Sequence, residues 1–200
     1  QTQRRNSSST SSSRTTVNKQ APEQQAVSRQ LGWLHTRPIP RYLPDWQTTP
    51  PHFDLLAKSL SPDRSSRGKT DWALRTESAL RTDRRTVEQL LVVYRSLAAK
   101  ALADKESWVI THGEPDSDNI LRTADGRLLL IDWTTAARAP RERDLAEVLH
   151  GSPAALSAYQ ETAGSVEPRQ WALDLMDLHW QLSHIARSLD RLLTTPGSED

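Results

Sequence analysis

The sequence predicts a mainly α-helical fold with one small β-hairpin, an α+β arrangement. Apolar residues recur at helical spacing through residues 86–103 and again through residues 171–193. Two short apolar segments flank an Ala-Asp-Gly turn at residues 124–126, which is the pattern of a hairpin. Because a chain of 200 residues can bury the core of one domain, we expect these elements to pack together.

Composition and charge argue against several classes of protein. The 26 Lys and Arg residues nearly balance the 25 Asp and Glu residues, so the net charge of +1 gives no reason to expect nucleic acid or an anionic membrane as a partner. The chain contains no cysteine, which excludes disulfide bonds and thiolate metal sites. No apolar stretch has the length of a signal region or a membrane span. We therefore expect a soluble, cytoplasmic protein.

The two ends of the chain differ from its middle in composition. Residues 1–25 are rich in Ser, Thr and Gln, and they carry four basic residues before the first acid, Glu23. We predict that residues 1–25 form a disordered tail and that residues 196–200 are a flexible C-terminus, which leaves residues 26–195 as the folded lobe. The basic tail has no aromatic residue among its charges, so we favour a solvated tail over a nucleic-acid-binding one.

The first half of the folded part is predicted from its periodicity and its prolines. Residues 26–36 have the spacing of a helix that ends before a run of prolines. Residues 37–53 contain five prolines among aromatic residues and should form an extended connection. We expect a short helix at residues 53–60, a loop or weak helix at residues 61–85, and a long helix at residues 86–103. Three apolar side chains in the loop could still dock on the core: Trp72, Leu74 and Leu80.

The hairpin is predicted from three short apolar segments. Residues 108–111 have the composition of a short strand. Residues 119–123 and 127–133 lie on either side of the Ala-Asp-Gly turn, so they should pair as the two strands of the hairpin. Functional groups can then occupy both ends of this hairpin.

Three more helices are predicted after the hairpin. Residues 141–150 form one apolar face and are followed by Gly151, which favours a helix end. A second helix should run through residues 153–162, because a proline is favoured in the first helical turn. Residues 171–193 form one long amphipathic helix. Its apolar stripe could be a coiled-coil seam, but beside so many helices we favour a packing face inside a bundle.

Side chains capable of chemistry concentrate in residues 112–119 (HGEPDSDN) and in the Ile-Asp-Trp segment at residues 131–133. Phosphoryl transfer needs a carboxylate that accepts the proton of the attacking hydroxyl, and Mg²⁺ that neutralises charge on the phosphates. A carboxylate, an amide oxygen five residues later and a second carboxylate across a hairpin supply a base and two hard oxygen ligands. Glu114, Asn119 and Asp132 fit these three roles in that order.

These residues resemble the aminoglycoside phosphotransferase family, whose catalytic loop runs His-Gly-Asp, four residues, Asn, and whose metal-binding Asp follows later. The Asp-Leu-Ala segment at residues 144–146 and the Leu-x-x-Leu-His pattern at residues 31–35 are similar to further motifs of the family. The resemblance covers about residues 27–195 and is strong only in residues 108–149. It implies a protein-kinase-like C-terminal lobe that uses ATP as phosphate donor together with Mg²⁺.

The resemblance also implies a role for each matching residue. Glu114 stands in the position of the catalytic base, and Asn119 and Asp132 stand in the positions that hold Mg²⁺. His112 would support the catalytic loop, and Asp144 would be a buried structural acid. The acceptor would be a hydroxyl of a small molecule such as an aminoglycoside or a related metabolite, which connects the family with antibiotic resistance.

The sequence departs from the family pattern in two places. Glu114 replaces the usual Asp and moves the carboxylate outward by one methylene, a form that close relatives in the family also carry. The nucleotide-binding lysine and the Gly-rich loop of the family are not found in these 200 residues. Residues 68–70 (GKT) imitate the end of a P-loop, but Asp63 occupies the position of its first glycine. We therefore expect a catalytic lobe whose nucleotide lobe is missing.

Two alternatives to a phosphotransferase stay open at the level of sequence. The first is a truncated, non-catalytic pseudoenzyme, favoured by the missing lysine and Gly-rich loop. The second is a helical module that binds a ligand or a partner through the stripe of residues 171–193. The acids Glu114, Asp116 and Asp118 on one loop agree with a cationic acceptor, although they equally fit solvated neighbours of a metal site. The sequence predicts neither the acceptor nor the oligomeric state.

Overall fold

A computed structural model describes residues 21–60, 75, 78, 82–149 and 152–194 of the chain. Residues 1–20 of the predicted tail, most of the predicted loop at residues 61–85 with its three docking side chains, and the predicted flexible C-terminus at residues 196–200 lie outside these described residues.

Six helices and four short strands make up the described part of the chain. The helices are α1 (Ala21–His35), α2 (Phe53–Ser59), α3 (Arg84–Ala103), α4 (Glu142–Leu149), α5 (Pro153–Ala163) and α6 (Gln170–Thr194). The strands are β1 (Val109–Thr111), β2 (Ile120–Arg122), β3 (Leu128–Leu130) and β4 (Ala137–Ala139). Short 3₁₀ turns lie at Lys105–Ser107, Ser117–Asn119 and Trp133–Thr135. The described helices show no span long and apolar enough to cross a membrane.

This arrangement confirms the predicted fold class, a mainly helical chain with a small hairpin. The helix boundaries agree with the predicted ones to within a few residues, with one exception. Helix α1 begins at Ala21, so residues 21–25, which we predicted as part of the disordered tail, are helical. Their side chains explain the difference, because Glu23 pairs with Arg122 on β2 and Gln24 donates to the carbonyl of Val148 on α4. Tertiary contacts therefore extend the helix beyond its apolar pattern.

The four strands form two antiparallel ribbons rather than a single hairpin. Strand β2 pairs with β3, with Ile120 opposite Leu130, and β1 pairs with β4, with Thr111 opposite Ala137. The second ribbon was not predicted, because its strands are separated by the whole hairpin. Since both ribbons are antiparallel, the connection from β1 to β2 lies beside the connection from β3 to β4. The segments that carry the candidate site residues thus lie next to each other.

The apolar side chains form two cores. One core lies between α2, α3 and α6 and also includes Trp46 and Trp108. The other lies between α1, the hairpin, α4 and α5. On α6 the side chains of Leu175, Leu182 and Leu189 are almost fully buried in the first core. As far as its side chains are described, up to residue 191, the stripe predicted at residues 171–193 is therefore a packing face within the chain and not an exposed coiled-coil seam.

Helices α1 and α5 pack closely and hold the end of α1 near the candidate site. A Cβ atom at Gly32 would collide with the side chain of Thr162 and the carbonyl of Tyr159, so only glycine permits this approach. Thr162 donates a hydrogen bond to the carbonyl of Arg29 across the same contact, at 2.8 Å. This packing places His35, the last residue of α1, in the protein interior.

Candidate active site

Three hydrogen bonds join the segment between β1 and β2 to the segment between β3 and β4. His112 Nε2 lies 2.9 Å from the carbonyl oxygen of Ile131. Thr135 Oγ1 donates to the carbonyl of His112 at 2.9 Å, and the backbone N–H of Ile131 donates to the carbonyl of Asn119 at 2.9 Å. We call residues 112–119 the first loop and residues 131–136 the second loop. These bonds hold the two loops side by side, so Asn119 and Asp132 lie at the same end of the hairpin.

Asp144 on α4 anchors the start of the first loop. Its fully buried carboxylate accepts the backbone N–H of Gly113 at 2.7 Å and that of His112 at 2.9 Å. It also lies 3.1 Å from Nε2 of His35, whose Nδ1 lies 2.9 Å from the hydroxyl of Tyr159. Burial alone would raise the pKa of Asp144, but the hydrogen bonds from His35, His112 and Gly113 outweigh it and lower the pKa. An ionised carboxylate therefore joins α1, α4 and the first loop.

His112 is enclosed between the two loops. The side chain is fully buried, and its ring meets that of Trp133 edge to face at a centroid distance of 4.7 Å. Because Nε2 has an acceptor in the Ile131 carbonyl, a neutral ring would carry its proton there and leave Nδ1 without one. Among the described residues Nδ1 has no hydrogen-bond partner. The geometry is that of a residue that supports both loops, while its role in catalysis stays a prediction.

Glu114 and Asn119 are connected through the backbone of the first loop. The side-chain amide of Asn119 donates from Nδ2 to the carbonyl of Glu114 at 2.9 Å. This bond orients the amide and leaves its oxygen as the atom available to a metal ion. The Glu114 side chain is exposed to solvent. Asp116 has a different task, because its Oδ1 accepts the backbone N–H groups of Asp118 and Asn119 and so caps the 3₁₀ turn.

Asp132 adopts an unusual backbone conformation at the start of the second loop. Its φ of 57° and ψ of 74° lie in the left-handed region, which costs a residue with a side chain about 1 to 2 kcal/mol. The Asp132 Oδ1 accepts hydrogen bonds from the hydroxyl of Thr134 at 2.6 Å and from its backbone N–H at 3.3 Å. These two bonds lower the pKa of Asp132. The carboxylate is therefore ionised at neutral pH, as a metal ligand must be.

The donor set at this end of the hairpin fits Mg²⁺ in chemical type. Mg²⁺ prefers oxygen ligands, keeps several waters and often uses one or two carboxylates together with substrate phosphates. Asn119 and Asp132 offer one amide oxygen and one carboxylate. No group of three or more His, Cys, Asp or Glu side chains arranged to hold a metal ion occurs among the described residues. The predicted ligands thus form a pair that would need water and phosphate to complete the coordination.

Arg143 is a residue of this site that sequence analysis missed. Gly113 has a φ of 101°, and a Cβ atom there would collide with the Arg143 guanidinium group. Arg143 Nη1 also donates to the hydroxyl of Thr111 on β1 at 2.9 Å. Burial lowers the pKa of Arg143, while the charges of Asp144 and Glu114 act in the opposite direction. The only signal in the sequence was its position directly before Asp144.

An apolar surface borders the second loop on the hairpin. Leu121 and Leu129 face each other across the two strands and are 49% and 42% exposed. Ile131 and Trp133 continue this exposed surface on either side of Asp132. A contiguous patch of exposed apolar side chains is typical of a surface that binds a ligand or a partner.

Several solved structures that share this fold are phosphotransferases. Two structures of spectinomycin phosphotransferase, one with ADP and spectinomycin and one with AMP, match with TM-scores of 0.70 and 0.66 at 16% and 18% identity. A choline kinase from Streptococcus pneumoniae matches with a TM-score of 0.53 at 17% identity. The three matches cover 89%, 86% and 90% of this chain, in that order. These similarities confirm the predicted kinase-like fold.

The chain spans only part of the length of these proteins. It covers 57% and 58% of the two spectinomycin phosphotransferase chains and 59% of the choline kinase. A comparison with curated proteins gives no significant match. The family model of the phosphotransferase enzyme family, APH, matches residues 16–174, which include both loops and Asp144. The chain therefore belongs to this phosphotransferase enzyme family.

Proposed function

We propose that this chain is the catalytic lobe of an ATP-dependent phosphotransferase that acts on a hydroxyl group of a small molecule. The observation that supports it most is the cross-linking of the two loops through His112, Ile131 and Thr135. It draws the candidate base and both candidate metal ligands to one end of the hairpin. Membership of the family and the fold shared with small-molecule kinases support the same reaction class.

In this proposal Glu114 is the general base. Its carboxylate accepts the proton of the acceptor hydroxyl while the hydroxyl oxygen bonds to the γ-phosphorus of ATP. The bond between that phosphorus and the β,γ-bridging oxygen breaks, and ADP leaves. The exposure of Glu114 agrees with this role, because a base must reach a substrate from solvent. Asp144 acts on this step only by fixing the backbone that precedes Glu114.

Asn119 and Asp132 would hold Mg²⁺ in this proposal. The bound ion would neutralise charge on the phosphates of the nucleotide. Asn119 is oriented for this by its bond to the carbonyl of Glu114, and Asp132 by its bonds from Thr134. The bond from the Asn119 amide to the Glu114 carbonyl joins a metal ligand to the backbone of the base, so a displacement of either residue would disturb the other.

The exposed apolar surface of the hairpin is the part of this lobe that we assign to the nucleotide base. Leu121, Leu129 and Ile131 are exposed apolar side chains on the hairpin that leads to Asp132, and they could contact one face of a purine ring. The sequence has no Gly-rich phosphate loop, and we assign no lysine to the phosphates. A second lobe, which the relatives have length to include, would cover the other face of the base.

The acceptor is proposed to be cationic and small. One matching structure contains spectinomycin, and others are an ethanolamine kinase from Plasmodium vivax and a choline kinase, whose names denote amino or ammonium alcohols. Glu114 and Asp118 are exposed on the first loop and could attract such groups, whereas Asp116 is used as a cap. Because ATP is the donor, we place this activity in the cytoplasm.

Isothermal titration of the chain with ATP, with and without Mg²⁺, tests the metal and nucleotide assignments. We expect binding that requires Mg²⁺ and that is lost in Asp132→Asn. The matched control is Asp125→Asn, at the turn of the same hairpin and at its opposite end, which should bind as the unmodified chain does. Binding would justify an acceptor screen with aminoglycosides, spectinomycin, choline and ethanolamine.

Absence of binding would favour the alternative of a non-catalytic protein for this chain alone. Adding a separately produced N-terminal lobe of a family member would then decide between an incomplete enzyme and a pseudoenzyme. Mg²⁺-dependent binding that appears only with that lobe would retain the proposal. Binding that is equal in Asp132→Asn and the unmodified chain would reject the metal assignment.

A further inference from the structure

The Arg143 guanidinium group lies directly against the backbone of the first loop. It occupies the space that a Cβ atom of Gly113 would need, one residue before Glu114. Its position is fixed by the hydrogen bond from Nη1 to the hydroxyl of Thr111, on the strand that leads into the loop. A cation is thus held in contact with the segment that carries the candidate base.

The charges around Arg143 leave Glu114 as the carboxylate most in need of a partner. Two carboxylates, Asp144 and Glu114, stabilise the charge of Arg143, and Arg143 in turn lowers the pKa of His179 on α6. Both oxygens of Asp144 already accept hydrogen bonds, Oδ1 from Gly113 and Oδ2 from His112 and His35. Among the described residues Glu114 has no side-chain hydrogen bond of this kind. Within the part of the chain that the structure describes, no hydrogen bond or ion pair joins Arg143 to Glu114, so the guanidinium, bound to Thr111 through Nη1, acts on that carboxylate through its charge.

On the basis of the function proposed above, we propose that Arg143 is a positioning residue for Glu114. Its guanidinium, seated against Gly113 and held by Thr111, restricts the Glu114 carboxylate to the orientation in which it meets the acceptor hydroxyl. A glutamate has one more rotatable bond than the aspartate of the family pattern and loses more freedom when it is oriented. A fixed cation beside it reduces the number of orientations, and catalysis depends on that geometry.

A purely structural role for Arg143 leads to a different expectation from a role in positioning Glu114. If the side chain only filled space behind Gly113, its removal would loosen the loop whether or not residue 114 carried a charge. If it acts through Glu114, its effect must depend on that carboxylate. The dependence of one residue on the other is therefore the quantity to measure.

The first experiment needs no enzymatic activity. The ¹⁵N NMR resonance of the Arg143 guanidinium is assigned by its loss in Arg143→Lys and then recorded in Glu114→Gln. We expect this resonance to shift in Glu114→Gln and to stay in place in Glu106→Gln, an exposed glutamate on a neighbouring turn. A resonance that is unchanged in Glu114→Gln overturns the inference whatever the turnover of the protein.

The second experiment measures phosphotransfer in a double-mutant cycle. Arg143→Met should lower kcat by about 10-fold or more with little change in the KM for ATP, and Arg143→Lys should recover part of the loss. In the Glu114→Ala background Arg143→Met should cause no further loss. The control is Arg138→Met on β4, whose effect should be equal in both backgrounds. An equal loss from Arg143→Met in both backgrounds overturns the inference, whereas an active chain indifferent to Glu114→Ala rejects the proposed base instead.

Discussion

Asp144 Oδ1 lies 2.7 Å from the backbone nitrogen of Gly113 and accepts its N–H. A carboxylate buried on α4 thus sets the direction in which the first loop leaves β1. Glu114 is the next residue, so the orientation of the candidate base begins at a helix that carries no reacting group. The pair connects the packing of the interior with the geometry of the site.

Asp144→Asn is predicted to destabilise the protein and to loosen the first loop. The amide keeps the shape of the carboxylate, but it loses the charge that serves three donors and turns an N–H group toward one of them. We expect a loss of about 2 to 4 kcal/mol in the free energy of unfolding, measured by urea titration. Asp125→Asn in the exposed hairpin turn is the control and should cost far less. A loss of similar size in both variants would contradict this role of Asp144.

The same carboxylate predicts sensitivity to acid. The pKa of Asp144 is lower in the folded protein than the ordinary value of 3.8. Its contribution is therefore complete at neutral pH and is lost as the pH falls below about 3.8 through the folded pKa. Urea titrations between pH 5 and pH 2.5, approximate limits chosen to bracket that value, should show a steeper loss of stability in the unmodified chain than in Asp144→Asn. Parallel curves would show that the charge of Asp144 contributes nothing.

His179 predicts a second pH dependence, in a milder range. Burial, with the positive charges of Arg143 and Arg187, lowers the pKa of His179 to about 4 from 6.5. The unfolded chain therefore takes up a proton before the folded one, and stability should fall as the pH decreases from about 6.5 to 4. The full effect is about 3 kcal/mol. His179→Gln should flatten this part of the pH profile, and His184→Gln, exposed on the same helix, should not.

The hydrogen bonds of His179 agree with a neutral ring. Tyr94 donates its hydroxyl proton to the carbonyl of Thr48, and the same oxygen lies 2.7 Å from Nδ1 of His179. Since the hydroxyl has only one proton, Nδ1 must supply the proton of the second bond. If the free energy of unfolding of His179→Gln depended on pH as it does in the unmodified chain, the lowered pKa of His179 would be contradicted.

Asp132→Asn is predicted to remove phosphotransfer almost completely. The amide has one oxygen instead of two, and the hydrogen bonds from Thr134 compete for it, so Mg²⁺ would be held weakly. A metal ion contributes several kcal/mol to such reactions, which corresponds to a loss of about 100-fold or more in kcat/KM. The check is a coupled assay for ADP release at a range of Mg²⁺ concentrations. Unchanged turnover at low Mg²⁺ would reject Asp132 as a ligand.

Two Glu114 variants are predicted to distinguish the effect of removing the carboxylate from the effect of displacing it. Glu114→Ala removes the general base and should lower kcat by about 100-fold to 10,000-fold. Glu114→Asp keeps the charge but withdraws it by one methylene, so it should retain part of the rate. The measurement is kcat for both variants, with Glu106→Ala as the exposed control. Equal rates for the Ala and Asp variants would mean that Glu114 is not the base.

Gly113→Ala is predicted to damage the first loop in two ways. An alanine at a φ of 101° is strained by about 1 to 2 kcal/mol, and its methyl group would displace the Arg143 guanidinium. Gly126→Ala is a matched control, because Gly126 also has a positive φ of 82° but nothing lies within 4 Å of its added Cβ. Both variants should lose stability in urea titration, and only Gly113→Ala should lose activity beyond that loss. Similar activity in the two would argue against a close approach of Arg143.

The secondary-structure elements that were predicted correctly are those whose sequence signals lie within a short stretch of the chain. Helices with a long apolar face and the hairpin around its Ala-Asp-Gly turn agree closely with the structure, because their signals lie within a few residues. The pairing of β1 with β4 could not be predicted, since a short strand finds a partner only through packing of the whole chain. The early start of α1 was missed for the same reason, because it depends on contacts of Glu23 and Gln24 with distant residues.

The residues of the candidate site were predicted from residue type and spacing. Some of the neighbouring residues that hold them in place were not predicted. Residues 112–119 and Asp132 were found because their pattern in sequence is compact. The contacts of Arg143 with Gly113 and of Thr134 with Asp132 are steric and conformational, so composition gives no sign of them. Asp116 was grouped with the acids that could attract an acceptor, and its role as a cap of the 3₁₀ turn was not predicted.

The bond between His35 and Asp144 joins residues that are 109 positions apart in the chain. During synthesis on the ribosome Asp144 therefore appears long after α1 has emerged, and the carboxylate that holds the first loop has all its donors only when that earlier helix is in place. A fragment that started beyond His35 would carry every residue of the catalytic pattern, yet the carboxylate behind it would be buried without one of its donors. Transplanting the loop into another protein would consequently require the last turn of α1 to be transplanted with it.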